Sequence, residues 1–426
     1  MVGHSMVHTY EMTVPLFVVI WLTEFETISL GVASVEVTTA TVGAVVTVGY
    51  GLFGMGALPG GVLVDRVGSR RLIAGCLLGM GAAYVLLGLA PGMAVVAAAL
   101  VVWGVAASVY HPAGLSLISK GVTERGTGFA YHGIAGNLGI GLGPLVAAVL
   151  LLFVEWRTVA LLLGMPALAA TAYAARANFD ETAAVDAREG GSKAESGVDT
   201  LSEFVAESRR LLAGRFLLVF VIVVCSGLYY RGVLTFLPEL LRGFPGFEPV
   251  PVGALLPAGL REALGVGGGR TLNPEDYFYS GLLVVGVLGQ YAGGKLTDRV
   301  RVEYGIAAAF GLLAVLALLF VPVSGAGLLP LMGVGAVLGV SLFVVQPFYQ
   351  ATVAEYTPPG TRGLSYGYTY LGVFGVGALG GGIAGAILAV STVTTLFYAL
   401  AGIAGVAAAV ALVLARTRPA AARAGE

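Results

Sequence analysis

The sequence predicts an all-α integral membrane protein with twelve transmembrane helices in two pseudo-symmetric six-helix bundles. Three observations carry this prediction. Hydrophobic residues fill 57% of the 426 positions and charged residues 11%, about half the charged share of a soluble domain, so lipid is the expected solvent. Apolar stretches of the roughly 20 residues needed to cross a bilayer core recur along the chain. The segment GGVLVDRV at 60–67 returns as GGKLTDRV at 293–300 with six of eight positions identical, the mark of a duplicated membrane unit.

Two more landmarks repeat in the same order. Pro112 in VYHPAG matches Pro347 in VVQPFY, and Arg125 and Gly126 match Arg362 and Gly363, so the three offsets are 233, 235 and 237. Helices 1 to 6 are expected at about 5–23, 38–63, 72–91, 93–118, 128–153 and 158–176. Helix 1 is the weakest of these because His8 and Glu11 interrupt it. Helices 7 to 12 are expected at about 216–238, 276–296, 303–323, 327–355, 364–390 and 393–415. The domains are therefore 1–177, a linker at 178–214, and 215–426.

Lysine and arginine set the orientation. With both termini in the cytoplasm of a plasma-membrane protein, 18 of the 23 basic residues are cytoplasmic. Arg157, Arg242, Arg261 and Arg270 lie outside, and Arg231 lies within a helix. The linker ends in TLSEFVAESRRLLAGR, which places Leu201, Phe204, Val205, Leu211 and Leu212 on one stripe of an amphipathic surface helix. The outer segment at about 239–275, rich in glycine and proline, reads as an irregular loop with one short helix near Pro257 to Leu264.

Composition also excludes functions. A net charge of −1 gives no reason to expect a nucleic-acid partner. Cys76 and Cys225 sit in apolar runs and read as small core residues. No cleavable leader is recognised before the first apolar stretch. Residues 289–295, GQYAGGK, satisfy the spacing of a phosphate loop, but Leu296 stands where Ser or Thr is needed. Neither a cofactor nor a metal site is expected. The expected partners are the lipid bilayer, a small organic substrate and protons, with the chain working as a monomer.

Asp65 and Asp298 each sit where an even-numbered helix leaves the membrane, followed by Arg66 and Arg299. A carboxylate there can accept from free amides at a neighbouring helix N-terminus. These residues resemble the loop 2–3 signature of the major facilitator superfamily. Gly61, Leu63, Asp65, Arg66, Gly68, Arg70 and Arg71 match it, with departures at Val64 and Ser69. In the second copy Gly294, Leu296, Asp298 and Arg299 match, but Arg301, Val302 and Glu303 replace the later glycine and basic pair. A second signature, on helix 5, is matched by Gly139, Gly143 and Pro144, with Ala147 and Ala148 where glycines are usual. VYHPA on helix 4, GNLGIGLGPLVAA on helix 5 and His8 are similar to the fosmidomycin-resistance-like branch of drug exporters. The resemblance implies alternating access, with the repeated motif as a cytoplasmic latch and helix 5 as a bendable interface element.

Polar residues inside membrane helices are the expected site, because each is costly at bilayer depth without a partner or water. They are His8, Tyr10, Glu11, His111, His132, Asn137, Arg231, Gln290 and Gln346. Glu11, His111 and His132 form the expected proton-coupling set. Arg231 either binds an anionic substrate group or pairs with Glu11. His8, Tyr10, Asn137, Tyr230, Arg231, Gln346, Tyr349 and Tyr368 are the expected substrate contacts, and Tyr110, Tyr131, Tyr229 and Tyr370 are further aromatics that suit a cavity wall. The functional expectation is secondary transport, as proton-coupled export of a drug-like or amphipathic metabolite. Uptake of an organic anion and a non-transporting sensor are the alternatives; catalysis is not expected, since the polar groups are scattered over several helices.

Overall fold

The computed structural model describes residues 1–29, 31, 33–183, 201–255, 257, 259, 271–358 and 361–417, with the side chains of Asp65, Arg125, Leu201 and Arg362 also left undescribed. Helix 1 is Val2–Glu24. Helix 2 runs as Thr39–Met55 and Ala57–Val67, interrupted at Gly56. Helix 3 is Ser69–Gly88. Helix 4 runs as Met93–Ser108 and Tyr110–Gly121. Its break precedes Pro112, whose ring crowds the carbonyl four residues back and which has no amide to donate. Helices 5 and 6 are Arg125–Leu151 and Trp156–Arg176.

The second bundle follows the same plan. Helix 7 is Phe216–Leu234, helix 8 Pro274–Thr297, helix 9 Val302–Ser324 and helix 10 Leu328–Tyr356. Helix 11 starts as Arg362–Tyr370, loosens into a π-helical turn at Leu371–Gly375 and a tight turn at Val376–Ala378, and resumes as Leu379–Val390. Helix 12 is Val393–Arg416. Among the described residues eleven helices are long and apolar enough to cross a membrane. Helix 8 completes the twelve by position; Tyr277, Tyr279, Ser280, Gln290 and Tyr291 lower its apolarity. The sequence GQYAGGK lies wholly within this helix, so it forms no phosphate loop.

Packing repeats with the sequence. Helix 3 lies on helix 6 as helix 9 lies on helix 12, helix 2 on helix 4 as helix 8 on helix 10, and helix 1 on helix 5 as helix 7 on helix 11. The bundles meet through helix 2 against helix 11 and helix 5 against helix 8, two contacts that a pseudo-twofold axis exchanges.

Glycine makes the 2–11 seam possible. A Cβ on Gly54 would stand 1.9 Å from the Gly375 nitrogen, and one on Gly385 2.2 Å from the Thr39 oxygen. Backbones this close bring side-chain hydroxyls onto facing carbonyls: Thr39 donates to Gly385 at 3.0 Å and Thr47 to Ala378 at 3.1 Å. Close approach of this kind is how membrane helices associate without a hydrophobic driving force.

The connections carry small ribbons that the all-α expectation omitted. Thr27–Ser29 pairs with Ser34–Glu36, and Val250–Pro251 pairs with Thr271–Leu272. The outer segment also holds short helices at Leu237–Leu241 and Val252–Leu255, whereas the helix expected near Pro257 to Leu264 falls, but for residues 257 and 259, outside the described residues. The linker ends in a helix at Leu201–Leu212, with Ser208 and Leu211 buried and Val205 exposed.

Gly54→Ala is expected to force helices 2 and 11 apart at a cost of about 1–3 kcal/mol, read as a lower thermal midpoint in detergent. Gly75→Ala on helix 3, where a Cβ meets nothing within 4 Å, should leave the midpoint unchanged or higher.

Candidate functional site

The site is organised by Pro15. It has no amide hydrogen, so the Glu11 carbonyl four residues back has no partner within helix 1. Tyr50 of helix 2 donates its hydroxyl to that oxygen at 2.6 Å. The carbonyls on either side are held likewise, Tyr10 by Tyr84 of helix 3 at 2.7 Å and Met12 by Tyr279 of helix 8 at 3.2 Å. Helix 1 is thereby tied to both bundles near its middle.

The Glu11 side chain is saturated by charged or polar groups. Arg231 of helix 7 donates to Oε1, and His8 Nδ1 lies 2.6 Å from Oε2. Glu11 is 1% exposed and Arg231 2%. The guanidinium also lies 3.9 Å from the centre of the Tyr50 ring, a cation–π contact that is strongest where water is excluded. Each charge answers the other's desolvation, so removing one partner alone would strand a buried charge, at about 3–5 kcal/mol.

Beside this pair all four histidines of the chain come together. His4 and His8 are one helical turn apart on helix 1, with their Nε2 atoms 3.1 Å from each other. His4 donates through Nδ1 to the carbonyl of His132 at 2.7 Å, and the His4 and His132 rings stack at 3.7 Å. His111 of helix 4 meets His4 edge-on at 5.2 Å and stacks on Tyr370 at 5.0 Å. Tyr370 ends the first regular piece of helix 11 and Phe374 stands on the π turn that follows, so two aromatics from the second bundle meet a histidine of the first. Phe53 packs on both His111 and Phe374.

Other expected residues are dispersed. Tyr10 donates to Leu163 at 2.8 Å and packs on Tyr84 inside the first bundle. Asn137 is half-buried on helix 5 and Tyr349 buried on helix 10. Tyr230 donates to the Met12 sulfur at 3.5 Å, and Gln346 accepts from Gln290 at 3.2 Å. Tyr368 packs edge-on against Phe220 and, with Phe204, Val205 and Leu212 of the linker helix, lines an open cleft of about 540 Å³. Tyr110 stacks on His4 and His132, Tyr229 donates to Leu313 at 2.9 Å, and Tyr131 is 58% exposed.

On helix 5 the glycines three and four apart share one stripe. A Cβ on Gly139 would meet Ser5 and one on Gly143 would meet Thr9, so both face helix 1 of their own bundle. Pro144 follows on the same helix, while contact with helix 8 falls on Gly141 against Val284 and on the Ala148 carbonyl, 3.4 Å from the Tyr277 hydroxyl.

At the first latch copy, Gly68 turns the chain at φ +89°, a conformation glycine takes without strain. The amide of Ser69 that opens helix 3 donates to the Glu181 carboxylate at 2.6 Å, and Arg70 donates to the Ala177 carbonyl at 2.5 Å. Glu181, unforeseen, thus takes one free amide of the kind a carboxylate at Asp65 was expected to accept. The Asp65 side chain lies outside the described residues. Arg66, Arg71, Asp298 and Arg299 are exposed, Gly294 is half-buried, and a Cβ on Gly61 would meet open space.

Sequence reasoning missed His4, Tyr50 and Tyr279. His4 was signalled by its four-residue spacing from His8, and Tyr50 only indirectly, by a proline that frees a carbonyl. His4, His8 and His111, from two helices, bring their ring nitrogens within 4.8 Å of one another, a grouping that the expectation of no metal site did not foresee.

The architecture resembles solved transporters. The nucleoside transporter NupG superposes with a TM-score of 0.68 over 97% of this chain and 98% of that one, at 12% identity. A bacterial homologue of the human lysosomal transporter Spinster, inward-facing and occupied, superposes at 0.67 over 98% and 95%, at 13% identity. These likenesses concern the fold. By sequence, 108 residues are 36% identical to the puromycin resistance protein of Streptomyces alboniger, a match spanning 25% of this chain and 22% of that protein. The profile described as Major Facilitator Superfamily matches residues 6–274. With twelve helices in two exchanged bundles and a polar centre between them, the chain belongs to the Major Facilitator Superfamily, as a multi-pass membrane transporter and not an enzyme.

Proposed function

We propose that the protein is a plasma-membrane antiporter that exports a drug-like or amphipathic metabolite in exchange for protons, working as a monomer with both termini in the cytoplasm. The observation that carries this reading is the buried Glu11–Arg231 pair joining helix 1 of one bundle to helix 7 of the other. A proton on Glu11 cancels its charge and weakens that join, which lets the bundles rock. Substrate binding from the cytoplasm displaces that proton from Glu11 into the cytoplasm, and the carboxylate then re-forms its pair with Arg231 as the cycle closes. His111 and His132 adjoin through His4 and His8 and complete the coupling set.

Export is favoured by the stretch shared with a puromycin resistance protein and by the glycines and proline of helix 5. The aromatic wall of Phe53, Tyr110, Tyr370 and Phe374 suits a cargo with a flat apolar body and a few polar groups. Uptake of an organic anion draws support from Arg231 alone, and here that guanidinium is engaged by Glu11. An anion would have to displace a carboxylate already in place.

In liposomes with an imposed proton gradient, Glu11→Gln is expected to keep substrate counterflow and lose gradient-driven accumulation. Arg231→Ala should abolish transport and cost about 3–5 kcal/mol of stability, while adding Glu11→Gln to it recovers stability but not transport. Full activity in Arg231→Ala would remove this residue from the site. At the latch, Asp65→Asn should reduce transport more than Asp298→Asn, because only the first copy keeps its glycine and basic tail; equal losses would contradict the inequality. Resistance across a compound panel, in a strain lacking its own exporters, identifies the cargo.

A further inference from the structure

The hydrogen-bond acceptors around helix 1 settle which histidine nitrogens carry hydrogen. The partner of His4 Nδ1 is a backbone carbonyl, which only accepts, so Nδ1 is the protonated nitrogen of that ring. The partner of His8 Nδ1 is the Glu11 carboxylate, ionised by its pairing with Arg231, so His8 Nδ1 carries hydrogen as well. In each neutral ring the lone pair then lies on Nε2. Those two lone pairs face one another at 3.1 Å, an arrangement that repels unless a cation stands against both.

Several features match a metal centre. A carboxylate behind one imidazole and a backbone carbonyl behind another are the usual supports of metal-bound histidines, fixing tautomer and orientation. The 3.1 Å separation is close to the edge of about 3.3 Å expected for a tetrahedron of nitrogens bound at 2.0–2.1 Å. A third nitrogen comes from His111, within 4.8 Å of the other two. On the ring stacked over His4, the Nε2 of His132 is buried with no hydrogen-bond partner among the described residues.

We propose that His4, His8 and His111 bind a borderline divalent transition cation, Zn²⁺ or its neighbours Co²⁺, Ni²⁺ and Cu²⁺. Imidazoles suit these ions, whereas Mg²⁺ and Ca²⁺ require oxygen ligands. The bound ion pins helix 1 to helix 4 within the first bundle, and Glu11 acts as a positioning residue through His8. The site shares His111 and Glu11 with the transport reading, but its test requires neither a cargo nor a proton gradient, so either reading can fail without the other.

The test uses the full chain purified in detergent without a polyhistidine tag, stripped with chelator and titrated with Co²⁺. One equivalent is expected to raise a ligand-field band in the visible, and Zn²⁺ should abolish it by displacement. His4→Phe and His111→Phe, which keep an aromatic ring in each place, should each remove the band, and Glu11→Gln should weaken affinity by about 10–100-fold. Circular dichroism and a monodisperse elution profile establish that each variant is folded. Absence of the band in the unaltered protein, or an unchanged band in folded His4→Phe and His111→Phe, would overturn the proposal, and a proton shared between His4 and His8 would then account for their approach.

Discussion

A carboxylate and a guanidinium held at membrane depth between two bundles are the constraint on which the rest of this structure depends. Neither is tolerable there alone. Each ion is answered by the other, by His8 and by the Tyr50 ring. Pro15 sharpens the arrangement, because the carbonyl it frees belongs to Glu11 itself and recruits the same Tyr50. One tyrosine therefore holds the backbone of the acid and the face of its counter-ion.

The switching proposed for that centre needs a frame able to bring two helices from different bundles together and release them. Duplication supplies a symmetric one: the two interbundle contacts are exchanged by the pseudo-twofold axis, the arrangement that rocking of one repeat against the other requires. The 2–11 seam holds through backbone approach at Gly54 and Gly385 and two threonine hydroxyls, contacts that resist a bulkier residue. The π turn in helix 11 breaks the regular ladder where Tyr370 and Phe374 reach His111, and such bulges often mark functional sites.

Much of the frame was legible in the sequence because the bilayer imposes its own ruler. A span must be long and apolar, so the expected helices fall within a few residues of the observed ones, and GGVLVDRV returning as GGKLTDRV exposed the doubling. Glu11 and Arg231 stood out because charge at that depth is rare. His4 did not, since a polar residue near a helix start looks interfacial until the fold stacks it on His132. The glycine seam was hidden among 65 glycines, where no single one is informative. Tyr50 and Tyr279 were illegible for a related reason: a tyrosine hydroxyl matters only through the carbonyl it meets, and that carbonyl lies on another helix.

In the proposed cycle the charge state of Glu11 controls the join between the bundles. Pulsed electron–electron spectroscopy tests it directly, with spin labels at the linker-side ends of helices 4 and 10 in a background lacking Cys76 and Cys225. Lowering the pH is expected to shift the interbundle distance distribution, and Glu11→Gln to adopt the low-pH distribution at every pH. A pH-dependent shift that persists unchanged in Glu11→Gln would contradict it.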